Sequence, residues 1–95
     1  MNSIATQPIE KEDIFRLRIA SREVLHSVDE ITKRHENLVL ACTFGNSWKG
    51  KVRITFMTEG GPVEVYTTVW NVTSDYIGLK GGALLPVTAI LDVRF

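Results

Sequence analysis

The spacing of hydrophobic and polar positions changes near Asn37. Before it, over 9–35, Ile14, Leu17, Ser21, Val24, Leu25, Val28 and Ile31 fall on one stripe at helical spacing. Arg16, Arg22, Glu23, Glu30 and Lys33 occupy the other face. This pattern predicts a long amphipathic helix. Pro8 suits a helix start, Thr6 can cap it, and Glu10, Glu12 and Asp13 favour the positive end of the helix dipole. No Gly or Pro interrupts 9–44. Ser27-x-x-Glu30 matches a capping box, so the helix is either continuous or broken into two near Ser27. One local pattern competes: Phe15, Leu17 and Ile19 alternate with Arg16 and Arg18, as they would in a short strand. A continuous helix would reach about 40 Å, longer than the body it has to pack on.

After Asn37 the period becomes two. "NLVLACTF", 37–44, is apolar on both sides and predicts a strand buried on both faces, and "GNSWKG", 45–50, predicts a loop. Two alternating stretches then meet at Gly60-Gly61. A turn at these glycines pairs Val52 with Val69, Ile54 with Thr67 and Phe56 with Val65 on one face. Lys51–Trp70, Arg53–Thr68, Thr55–Tyr66 and Met57–Glu64 then share the other. "NVTSD" returns the chain, with Val69 meeting Ile77 and Thr67 meeting Leu79 inside and Trp70 opposite Tyr76 outside. "KGG", 80–82, is a further turn. Pro86 cannot donate to a ladder and predicts a helical turn. "ILDVRF" closes the chain with Leu91, Val93 and Phe95 on one side and Asp92 and Arg94 on the other.

The fold class implied is α+β: a long N-terminal amphipathic helix packed on a strongly bent five-stranded antiparallel sheet or small barrel. Residues 1–8 are expected to form a flexible arm and 9–95 a single domain. The order of helix, bent meander, short turn and last strand resembles the Sm-like family and the wider SH3-like small barrels. The tail "LKGGALLPVTAILDVRF" is similar to the close of many such barrels. The resemblance implies a small barrel, RNA binding through loop residues, and ring assembly. It is one of element order, and no binding residue is carried over from it to "GNSWKG" or "KGGA".

Composition narrows the picture further. A 95-residue chain makes one domain and buries only about 60–65% of its unfolded surface, which leaves a thin stability margin. Eleven basic side chains balance eleven acidic ones, so there is no bulk attraction to nucleic acid or to an anionic membrane. Cys42 is the one cysteine, which excludes an internal disulfide and fits a reducing compartment. The first residues lack the basic and apolar regions of a signal peptide, and no apolar run approaches the roughly 20 residues of a membrane span. The expectation is a cytoplasmic protein without membrane contact, in which the sequon Asn71-Val72-Thr73 is a chance match.

Catalysis needs a nucleophile, a base within reach and a group that orients the base. The candidates are Cys42, His26 and His35, with Cys42 placed in an apolar run and His35 at the expected helix end. No Cys-x-x-Cys or His-x-x-x-His spacing is present, and the paired glycines read as turns rather than phosphate cradles. Neither enzyme activity nor a cofactor or metal is expected. The outer hairpin face gathers Lys51, Arg53, Tyr66, Trp70, Tyr76 and Lys80, with Trp48 and Lys49 in the preceding loop. Aromatics stack on bases and cations neutralise phosphates, as in single-strand binders, and the same residues also serve as sheet surface or protein contact. Phe15 and Ile19, with Ile4 and Ile9, form a candidate self-association patch, unless they widen the helix stripe. The leading expectation is a small non-catalytic domain of bacterial type, acting by protein interaction or self-assembly as a homo-oligomer. The alternative is Sm-like or SH3-like RNA binding through the aromatic–basic face. A ligand carrier or enzyme with its pocket between helix and sheet comes third.

Overall fold

Ser27 is where the helix begins. A computed structural model describes residues 6–95, and 1–5 of the expected arm, with Ile4, lie outside the described residues. Helix α1 spans Val28–Trp48. The Ser27 hydroxyl accepts from the Glu30 amide at 3.1 Å, and the Glu30 carboxylate reaches back to the His26 amide. The capping box therefore starts the only α-helix among the described residues. The expected N-terminal helix over 9–35 is corrected: Lys11–Arg16 makes a short 3-10 helix, and the chain to Ser27 is extended or irregular.

The alternation noted at Phe15–Ile19 accounts for that segment. Leu17 and Ile19 are half-buried while Arg16 and Arg18 are exposed. Ile19 bridges to Thr58, the Ala20 amide donates to the Met57 carbonyl, and the Glu59 amide donates to the Arg18 carbonyl. Farther on, the Val24 amide donates to the Thr88 carbonyl. The segment is thus stitched onto the end of one strand, and backbone pairing overrides helical periodicity. Ile9 and Ile19 pack on the core, which leaves Phe15 as the one exposed member of that patch among the described residues.

"NLVLACTF" is helical, which corrects the strand expected there. Leu38, Ala41 and Gly45 line up at helical spacing and are buried against the sheets, in line with Arg34 one turn earlier. The helix runs on through "GNSW" and ends at Lys49, whose φ of 53° is left-handed. His35 consequently lies within the helix rather than at its end.

Seven strands form among the described residues, rather than five. β1 (Gln7–Ile9), β2 (Val52–Thr58), β3 (Gly61–Thr67) and β7 (Ile90–Arg94) make a sheet in the order β1-β3-β2-β7. β4 (Val69–Val72), β5 (Tyr76–Leu79) and β6 (Leu84–Pro86) make a second sheet in that order. There is no closed barrel among the described residues. β1 runs parallel to β3, so Gln7 and Pro8 of the expected arm belong to a strand and the larger sheet is not purely antiparallel. Buried Thr67 and Thr68 form the corner where the chain leaves one sheet for the other. The core lies between the sheets and α1, with Phe56, Ile54, Val65, Ile77, Leu79, Leu85, Ile90 and Leu38 fully or almost fully enclosed.

The hairpin forms two residues away from the expected register. Val52 pairs with Thr67, Ile54 with Val65 and Phe56 with Val63, so the turn is Glu59-Gly60 and Gly61 opposes Thr58. The Thr58 hydroxyl fastens this turn, accepting from the Gly60 amide at 3.1 Å and donating to the Gly61 carbonyl at 2.7 Å. A shift of two leaves every side chain on its face, because strand periodicity is two. The β4–β5 pairing also differs. Val69 meets Leu79 and Val72 meets Ile77, with an irregularity at Trp70, so Trp70 does not oppose Tyr76. "KGG" turns as expected, and Val87–Ala89 supplies the helical turn after Pro86. A bulge in β7 puts Ile90 opposite Phe56 and Val93 opposite Ile54. Ile90 and Val93 are therefore the inward pair, and Phe95 is exposed.

Candidate functional site

The helix buries one narrow stripe and leaves apolar residues on much of the rest. Leu40, Phe44 and Trp48 are spaced four apart, so they stand in a row along the outward side. They are 57%, 37% and 78% exposed, and Phe95, delivered beside them by the end of β7, is 63% exposed. The Phe44 and Phe95 rings lie 6.3 Å apart at a tilted angle, within the range of a favourable aromatic pair. Together with Thr43 these residues line an open groove of about 350 Å³. The groove is held rigidly. Gly50 sits against the Phe44 ring with no room for a side chain, and Gly45 lets β4 approach the helix at Val69. Asn46 ties the two together, donating to the Trp70 carbonyl at 3.1 Å and the Cys42 carbonyl at 2.8 Å.

The other flank of the helix carries a second groove of about 360 Å³, lined by His35, Val39, Cys42, Thr43, Val72, Thr73 and Ser74. Cys42 is half-buried on α1 rather than on a strand. Its Sγ lies 3.5 Å from the Trp70 carbonyl and 3.3 Å from Asn46 Nδ2, neither of which is a base. His26 is exposed just before the helix. Among the described residues no group of three or more His, Cys, Asp and Glu is placed to hold a metal, and no helix is long and apolar enough to cross a membrane.

The aromatic–basic set read from the hairpin separates into three places. Lys51, Arg53 and Tyr66 do meet on the outside of the larger sheet. Lys51 Nζ lies 5.6 Å and Arg53 Cζ 5.0 Å from the Tyr66 ring centroid, in the range of cation–π contact. Arg53 also pairs with Glu64 at 3.1 Å, and Arg94 on the adjoining strand pairs with Asp92 at 2.9 Å. Three cations against two carboxylates leave one positive charge on that surface. Trp70, Tyr76 and Lys80 belong to the smaller sheet and its turn. Trp48 belongs to the helical groove. Of the self-association pair, Phe15 is exposed and Ile19 is engaged with Thr58.

Leu40, Phe44 and Phe95 were not legible as surface residues. The signal for Leu40 and Phe44 was the apolar run on both sides of 37–44, which also describes a helix with one face packed and another uncovered, and Phe95 had none. A third feature is structural. Arg34, with its side chain 4% exposed, makes two 2.6 Å bonds to the Glu23 carboxylate and one of 3.1 Å to the Ile90 carbonyl. Hydrogen bonds from this guanidinium hold the Glu23 carboxyl below the usual carboxylate range. No family model, curated protein or solved structure matches the chain, so the functional reading rests on this geometry.

Proposed function

We propose that the chain is a non-catalytic domain that acts by protein contact, through the outward face of α1. The observation that carries this reading is the row Leu40–Phe44–Trp48 with Phe95, a continuous apolar groove on α1 that no other described residue covers. Exposed apolar patches of several hundred Å² mark contact sites on small domains. Aromatic side chains are the usual anchors of such contacts. The domain also gains stability from any partner that covers the groove, which matters for a chain with a small core.

RNA binding is the second reading, and the Lys51–Arg53–Tyr66 cluster is what favours it. Its weakness is electrostatic. Arg53 and Arg94 already have carboxylate partners, and single-strand binding draws on a groove with free cations along the backbone path. A photo-crosslinking residue in place of Leu40 is expected to form protein adducts, and one in place of Arg53 is not. Adducts from the Arg53 position alone would overturn the protein-contact reading. So would retention on single-stranded RNA that falls steeply with salt and is lost in Lys51→Glu.

A further inference from the structure

The apolar row has an acidic end and a basic end. Glu36 lies one turn before Leu40 on the same row, and Lys49 follows Trp48 at the helix C-terminus; both are exposed. We infer that the occupant of this face is a second copy of the chain, paired about a two-fold axis with the two α1 helices antiparallel. The inference rests on the protein-contact reading above and names its partner.

Charge decides the orientation. A two-fold contact brings the same patch of both copies together, so the patch has to complement itself. With Phe44 at the axis and the helices antiparallel, Leu40 of one copy lies by Trp48 of the other. Glu36 of one then lies toward Lys49 of the other, twice over by symmetry. In a parallel pair Glu36 would face Glu36 and Lys49 would face Lys49, a like-charge arrangement that repels. The antiparallel order also sets opposite helix dipoles side by side. Lys49 adopts a left-handed backbone conformation in which glycine is the usual residue, so a cation stands where the backbone alone favours none.

Area and shape agree with a copy of this size. At about 200 Å² for a large apolar side chain, the four exposures amount to about 450–500 Å² per chain. A standard interface covers about 800 Å² per partner, of which about 60% is apolar, or about 480 Å². The row therefore supplies the apolar part of one such interface, and Glu36, Thr43 and Lys49 lie where its polar rim would be. Trp48, the most exposed of the four, forms one wall of the groove it shares with Leu40, Phe44 and Phe95, so the same face offers both a large aromatic side chain and an apolar recess.

The test is the solution mass of the full chain by light scattering across a dilution series, with circular dichroism to confirm that each variant folds. The expected result is a mass approaching about 21 kDa, twice the 10.7 kDa of one chain, that falls to one chain in Trp48→Asp. Glu36→Lys and Lys49→Glu alone are each expected to raise the dimer dissociation constant about tenfold, because each change acts at two symmetry-related pairs. The double exchange, Glu36→Lys with Lys49→Glu, is expected to restore it to within about threefold, and high salt to reduce these differences. A wild-type chain of single-chain mass at every concentration overturns the second copy as occupant while leaving the α1 face open to another protein. A dimer broken by Trp48→Asp but unaffected by the charge exchange overturns the antiparallel order. A dimer that survives Trp48→Asp overturns both this inference and the use of α1 as the contact face.

Discussion

The Glu23–Arg34 pair offers a sharp test of how the extended segment is held, because its two members are buried to different degrees. Arg34 is 4% exposed at its side chain and Glu23 is 31% exposed. Replacing Glu23 by Gln strands a guanidinium whose remaining strong partner is the Ile90 carbonyl. Removing one side of a buried ion pair costs about 3–5 kcal/mol, and partial solvent access to Glu23 reduces this to about 2–3 kcal/mol. Arg34→Met removes the buried charge instead, with similar length and volume, and leaves a carboxylate that can turn to water. Its expected cost is about 1 kcal/mol, from the hydrogen bond lost at Ile90. The double variant should match Arg34→Met, giving a coupling energy of about 2 kcal/mol.

Equilibrium urea unfolding at pH 7 measures these differences, in a Trp48→Asp background so that association does not add to stability. The pH dependence has a definite sign. The folded Glu23 carboxyl is depressed by the Arg34 hydrogen bonds, so its contribution is present above its unfolded pKa. That contribution fades as pH falls from about 4.3 through the lower folded value. The gap between wild type and Glu23→Gln should therefore close in acid. Equal losses for the two single variants, or a larger loss for Arg34→Met, would refute the claim that the buried guanidinium governs the cost.

Other expectations follow from single positions. Gly61→Ala should cost about 1 kcal/mol by thermal or urea unfolding, because Gly61 has φ +112° although a Cβ there would meet nothing within 4 Å. Gly60→Ala should stay within about 0.5 kcal/mol of wild type, and the reverse ranking would place the turn at Gly60-Gly61. Gly45→Ala should cost about 1–3 kcal/mol by overpacking, since a Cβ would fall against the Val69 carbonyl and 2.9 Å from Thr68 Cγ2. Ser27→Ala should cost about 1 kcal/mol and fray the first turn of α1 in amide exchange, because its hydroxyl receives the Glu30 amide.

The hairpin is legible in the sequence because its two strands check each other, whereas the lone apolar run at 37–44 had no partner to check it and is helical. The two alternations around Gly60-Gly61 agreed on which residues face inward, and Val52, Ile54, Phe56, Val63, Val65 and Val69 are all buried. The register itself was hidden, because two adjacent glycines do not say which one needs positive φ, and the Thr58 hydroxyl decides it. The helix was misplaced for a different reason. Ile14, Leu17 and Val24 satisfy helical spacing, yet the backbone groups of Arg18, Ala20 and Val24 find partners on Glu59, Met57 and Thr88 that no local pattern reveals. The capping box was visible and correct, but its meaning depended on what lay upstream. On the surface, Lys51, Arg53 and Tyr66 came together as read, whereas Trp70 and Tyr76 did not. A bulge at Trp70 and the corner at Thr67-Thr68 carry them to the other sheet.

The order β1-β3-β2-β7 has a kinetic side. Its middle two strands are sequence neighbours, while its margins arrive from residues 7–9 and 90–94, far apart along the chain. Closing a short loop loses much less entropy than closing a long one, so the central hairpin is the natural nucleus and the margins zip on afterwards. Changes at Gly61 should then slow refolding, whereas changes in β1 should mainly hasten unfolding.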